Sequence, residues 1–175
     1  MLKKKYLSIF SGTNISIRLL LFKSHNMRLI RFINIIITAI LAGVSFGIWI
    51  GFNPMDLSSS TYIEQQQNML HSLRILLVSL VFIATIVTII SAFLQKKNNS
   101  IFISLLIAAI FLIACILITR FGNKPIDDMV LNWNSGSLPS NWAELRDKWW
   151  SLHIMRTIAE LIALLLITWT SIKGD

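Results

Sequence analysis

Six side chains with chemical potential lead into the last apolar stretch of this chain: Trp142, Arg146, Trp149, His153, Arg156 and Glu160. Residues three and four apart are neighbours on a helix, so all six share one stripe. An imidazole can move a proton, a guanidinium can hold an anion and a carboxylate can balance either. The last three fall at or inside the edge of the run from Ile154 to Ile172, which is otherwise almost wholly apolar. Charged groups so near hydrocarbon are costly; by default they face a bundle interior or a wet cavity and mark a working site. The competing reading is packing, in which His153, Arg156 and Glu160 satisfy one another, with Arg156 and Glu160 as an i, i+4 pair.

The elements that must carry these groups are membrane helices. The chain is 55% hydrophobic and only 14% charged, with a mean hydropathy of +0.70, against about 25% charged in a typical soluble domain. Four runs, roughly Ile30 to Ile50, Ser72 to Leu94, Ile101 to Thr119 and His153 to Ile172, approach the ~20 residues that cross a ~30 Å hydrocarbon core. The expected fold is all-α, an integral membrane four-helix bundle with an extended amphipathic outer part on its last helix. Residues 1–29 form a basic N-terminal segment and 30–172 a single four-span domain. The first span is too long for a signal-peptide core, so it reads as an anchor. The patch from Ile15 to Phe22 is broken by Arg18 and reads as an interfacial helix or a loose tail.

Of 16 Lys and Arg residues, the ten at positions 3, 4, 5, 18, 23, 28, 31, 96, 97 and 173 fall on one side of the expected topology. The other six are offset by Asp56, Glu64, Asp127, Asp128, Glu144 and Asp147, so nearly all of the net +8 lies on the first side. The Lys/Arg bias makes that side cytoplasmic, which predicts a multi-pass protein of the cell (inner) membrane with both termini inside. The basic residues are membrane-proximal and lack interleaved aromatics, which points to the lipid bilayer and away from nucleic acid. Cys115, the one cysteine, lies mid-span and can form no internal disulfide.

Both outer segments carry structure. Thr61 and Glu64 have capping-box spacing, so a helix is expected to start there and run into the second span. Along it Glu64, Gln67, His71 and Arg74 form a second polar stripe. The segment from Arg120 to Asn141 reads as a loop punctuated by Pro125, Gly136 and Pro139. Asn141 with Glu144 starts the last helix, which would run about 46 Å from Trp142 to Ile172. Trp133, Trp142, Trp149 and Trp150 cluster on this side, either as an interfacial belt or as the wall of a pocket for a flat ligand. In the first span Ala39, Gly43, Gly47 and Gly51 recur every four residues, a pattern for close helix packing within the chain or in a homo-oligomer.

The stretches "LITRFGNKPIDDMVLNW" and "LPSNWAELRDKWWSLHIMRTIAELIAL" resemble the signature of the anthrone oxygenase-like family of small four-span membrane proteins, also catalogued as the DUF1772 family. "TYIEQQQNML" is similar to the Gln-bearing start of its second helix. The shared pattern is an Asn-x-Pro-x-Asn element after the third span, then Trp and Arg residues, then His and Arg three apart. Asn123, Pro125, Trp149, His153 and Arg156 stand at those places, and Asp127 replaces the second Asn. The resemblance implies a cofactor-independent oxygenase of an apolar aromatic or phenolic substrate, as in fungal members that oxidise anthrones to anthraquinones. On that reading His153 is the base, Arg156 holds the anionic oxygen, Asn123 donates a hydrogen bond and Trp149 is a stacking wall. Trp142, Arg146, Gln67, His71 and Glu160 complete the expected pocket.

Two other classes fit the same residues. His71 and His153 at similar depth on two helices could hold a haem. No Glu-x-x-His motif occurs, and the seven-residue gaps from Glu64 to His71 and His153 to Glu160 span about 10 Å, too far to chelate one ion alone, so no metal site is expected. A non-enzymatic small-molecule-binding or structural membrane protein is the remaining class. No Gly-rich phosphate loop and no Gly-x-Ser-x-Gly occurs.

Overall fold

The computed structural model describes residues 2–134 and 136–173, with side chains described from residue 26 onward. Four long helices, α1 (Leu2–Gly51), α2 (Ser59–Leu94), α3 (Asn99–Ile118) and α5 (Trp142–Lys173), are joined by short connections, and a one-turn-plus helix α4 (Lys124–Val130) follows α3. Each long helix contains a stretch long and apolar enough to cross a membrane, so the chain is a multi-pass membrane protein built as an all-α bundle. α1 packs on α2 and α5, and α3 packs on the same two helices, giving the ring α1-α2-α3-α5.

Lipid offers no hydrophobic drive for helices to meet, so close packing and interhelical hydrogen bonds must hold the ring. Ala84, Ala108 and Ala163, each 0% exposed, bring backbones together around Leu41, Leu105, Leu112 and Ile167. Across the α1–α2 seam the Thr88 hydroxyl donates to Asn34 Oδ1 at 2.9 Å. Such a bond contributes roughly 0.6 kcal/mol in a membrane.

Two local expectations are revised. The residue capping α2 is Ser58, whose hydroxyl accepts the Thr61 N–H, three positions before the expected start. Thr61 is already helical, and Glu64 is exposed. The stretch expected as a loop from Arg120 is helical to Val130, because a π turn at Thr119–Asn123 absorbs Pro125. There the Lys124 N–H reaches back five residues to the Thr119 carbonyl, and the proline, which has no N–H, enters at the start of α4. On the glycine ridge of α1, a Cβ built on Gly43, Gly47 or Gly51 meets nothing within 4 Å among the described residues. The segment holding Ile15 to Phe22 is helical in backbone and continuous with the first span, and its side chains lie outside the described set.

Candidate functional site

The π turn is what aims the site. Its extra residue rotates the chain beyond Ile118 relative to a regular helix, and Asn123 and Asp127 both end up buried against α5. The turn lies so close to α5 that a Cβ on Gly122 would come within 2.8 Å of a Leu152 methyl. Asn123 donates Nδ2 to the Trp149 carbonyl at 3.0 Å, and the Trp149 indole N–H donates to Asp127 Oδ1 at 2.7 Å. Trp149 is thus gripped at backbone and ring by two consecutive turns.

Beside this clamp lies a cavity of about 40 Å³, whose polar lining is Arg74, Thr119, Asn123, Asp127, Trp149 and Arg156 and whose remaining wall is aliphatic. A smaller void of about 10 Å³ continues from Arg156 and Thr119 to Cys115 and Glu160, close to the space one water molecule needs. On the other side Arg74, Val78, Thr119 and Asp127 also line a wide groove of about 580 Å³ between α2 and the α3–α4 arm. Its rim carries Ile75 and Phe82, 81% and 49% exposed within the second span. The charged cavity and this largely apolar groove therefore share one wall, formed by Arg74, Val78, Thr119 and Asp127.

His153 stands behind Arg156. Its Nε2 lies 3.1 Å from the Ser45 carbonyl, an acceptor, so Nε2 carries the proton. Nδ1 is then the acceptor for Arg156, whose Nε and Nη2 approach it at 3.3 and 3.2 Å, while Nη1 donates to the Thr119 hydroxyl at 3.4 Å. The imidazole is fully buried and stacks on the Trp149 ring, centroids 5.3 Å apart and planes 2° from parallel. The expectation that His153 opens directly on the pocket is corrected: it does not line the cavity, because the guanidinium it holds occupies that position. Arg156 and Glu160 form no ion pair among the described residues, contrary to the i, i+4 alternative. Glu160 is 2% exposed and its Oε2 has no hydrogen-bond partner.

Of the remaining expected residues, Asn123, Trp149 and Arg156 meet at the cavity and Glu160 at the adjoining void. Trp142 and Arg146 stack on each other, 5.1 Å from guanidinium to ring, in a separate cluster with Asp147. Gln67 donates to the Val130 and Trp133 carbonyls and so ends α4. His71 is exposed, and both ring nitrogens of His153 are engaged, so the pair does not face a common haem. Among the described residues no three His, Cys, Asp or Glu side chains converge to hold a metal ion.

The polar face of α2 that turns inward is Tyr62 and Gln66, both 0% exposed, one position before the expected stripe. Leu70, four positions after Gln66, is buried on the same face. Arg74, Thr119 and Asp127, all in the cavity wall, were the other polar residues not included in the expected pocket.

A family model described as anthrone oxygenase matches residues 66–166. The chain belongs to the anthrone oxygenase family. Comparison with curated proteins and with solved structures found no match. The window matched by the anthrone oxygenase model includes Asn123, Asp127, Trp149, His153 and Arg156, while Ser45, which fixes the imidazole, lies in α1 outside it.

Proposed function

We propose that this member of the anthrone oxygenase family is a cofactor-independent oxygenase of an apolar, phenolic anthrone-type substrate. The observation that carries the reading is the meeting of Arg156, Asn123 and Trp149 in one interior cavity that adjoins an apolar lateral groove. The groove admits the rings, and Arg156 turns from His153 to the substrate's anionic oxygen. That turn releases Nδ1, the one lone pair the Ser45 bond leaves on the imidazole, to act as the base. The electron-rich carbanion formed by proton removal reduces O₂ by one electron, and recombination of the radical pair forms the C–O bond of a hydroperoxide, which takes the proton back. Loss of the second proton from that carbon breaks the O–O bond. The carbon becomes a carbonyl, and the departing oxygen leaves as water.

The test is oxygen uptake by the full chain in lipid nanodiscs with a hydroxylated anthrone, above the spontaneous rate. Arg156→Ala should cost 10²-fold or more, the order seen on removing one anion-stabilising donor. His153→Gln should lower kcat with little change in KM. No uptake above background by the unaltered protein overturns the proposal. A second reading, binding without turnover, is favoured by the occupancy of both His153 nitrogens, and predicts quenching of Trp149 fluorescence by the anthrone with no oxygen consumed.

A further inference from the structure

At the opposite end of the bundle from the Arg156 cavity, the α2–α3 turn, the α5 terminus and one turn of α1 border an open groove of about 550 Å³. Arg31, Lys96, Lys97 and Lys173 line it, and no Asp or Glu among the described residues does. Arg31 donates Nε to Gln95 Oε1 at 2.9 Å, and Gln95 is itself held by the Ser91 hydroxyl and carbonyl. One cation is therefore fixed by a built network instead of waving in solvent.

The wall on the hydrocarbon side is apolar. Phe93 and Leu94, 56% and 47% exposed, close the last turn of α2 beside the lysines. Lys173 lies 5.0 Å from the Trp169 ring, on a half-exposed indole of the kind that anchors a helix end at the headgroup level. A cationic pocket with one greasy side, at the depth where a span ends, matches a molecule with a phosphate head and a hydrocarbon tail. A free phosphate would use the cations and leave the apolar wall idle.

We propose that this pocket binds an anionic phospholipid, with the headgroup phosphate among Lys96, Lys97 and Lys173 and an acyl chain along Phe93 and Leu94. The site is independent of any oxygenase activity. Basic pockets between membrane helices are the usual seats for such headgroups.

The test is native mass spectrometry of the full chain in detergent, titrated with dioleoylphosphatidylglycerol or dioleoylphosphatidylcholine. The anionic lipid should be retained at several-fold lower concentration. A Lys96→Gln, Lys97→Gln, Lys173→Gln variant should lose most of that preference at low ionic strength. The corresponding Lys→Arg triple variant should keep it, and Lys148→Gln, at the other end, should not alter it. Equal retention of the two lipids overturns the proposal, as does a preference that survives the Lys→Gln triple variant, which would assign it to the basic N-terminal arm. Displacement of the lipid by millimolar inorganic phosphate would also overturn it, showing a phosphate site without lipid character.

Discussion

Replacing Asp127 separates two roles of one side chain. The carboxylate is 6% exposed and accepts the Trp149 indole N–H at 2.7 Å. Asp127→Asn keeps an acceptor there and loses only the charge assistance of that bond, about 1 kcal/mol. Against that loss stands the relief of a buried ion's desolvation, several kcal/mol in isolation and offset in part here by Arg74 and Arg156 in the same cavity wall. The two effects oppose, so the Asn variant should fall within about 1 kcal/mol of the parent. Asp127→Leu strands the indole N–H and should cost about 1–3 kcal/mol. Reversible unfolding in mixed micelles of dodecyl maltoside and sodium dodecyl sulfate, followed by far-ultraviolet circular dichroism, measures both. Oxygen uptake supplies a second readout: with one negative charge gone from the wall, an anionic substrate should bind roughly tenfold tighter in the Asn variant. Equal destabilisation by Asn and Leu, or a loss above about 2 kcal/mol for Asn, would refute the reasoning, since the charge itself would then be holding the clamp.

Gln67→Leu removes two donations, to the Val130 and Trp133 carbonyls, and should lower stability by about 1–2 kcal/mol in the same unfolding assay while leaving substrate KM unchanged. Gly43→Ala and Gly47→Ala place a methyl in open space and should raise the monomer's stability by up to about 1 kcal/mol each through helix propensity. If the ridge joins two copies, the same substitutions will shift the mass measured by light scattering toward the monomer.

The bundle was legible because hydrocarbon imposes long apolar runs, and each of the four runs became a helix. The α5 stripe was legible too, since 3-4 spacing fixes a face whatever the tertiary context, and Trp149, His153 and Glu160 are all buried on it. Residues whose direction depends on a neighbouring element were harder. Pro125 looks like a loop marker, and only the five-residue back-bond to Thr119 explains how helix continues past it. The fully buried amide of α2, Gln66, was missed, because Gln65, Gln66 and Gln67 are chemically alike and both Gln65 and Gln66 have an apolar residue four positions on. That Arg156 would turn to the imidazole and not to Glu160 depends on Ser45 and Thr119, which lie on other helices. No spacing within α5 encodes it.

The lateral groove between α2 and the α3–α4 arm changes what concentration means for this protein. A compound that reaches the cavity through that groove comes from the lipid phase, so its occupancy follows mole fraction among lipids and not molarity in the buffer. Each added methylene multiplies partitioning about fourfold at ~0.8 kcal/mol, before any contact with the protein is made. Under the proposed function, much of the selection of greasy aromatic compounds over soluble phenols is therefore exercised by the bilayer as a reservoir, and the few polar groups of the cavity need only choose among what the membrane has already collected.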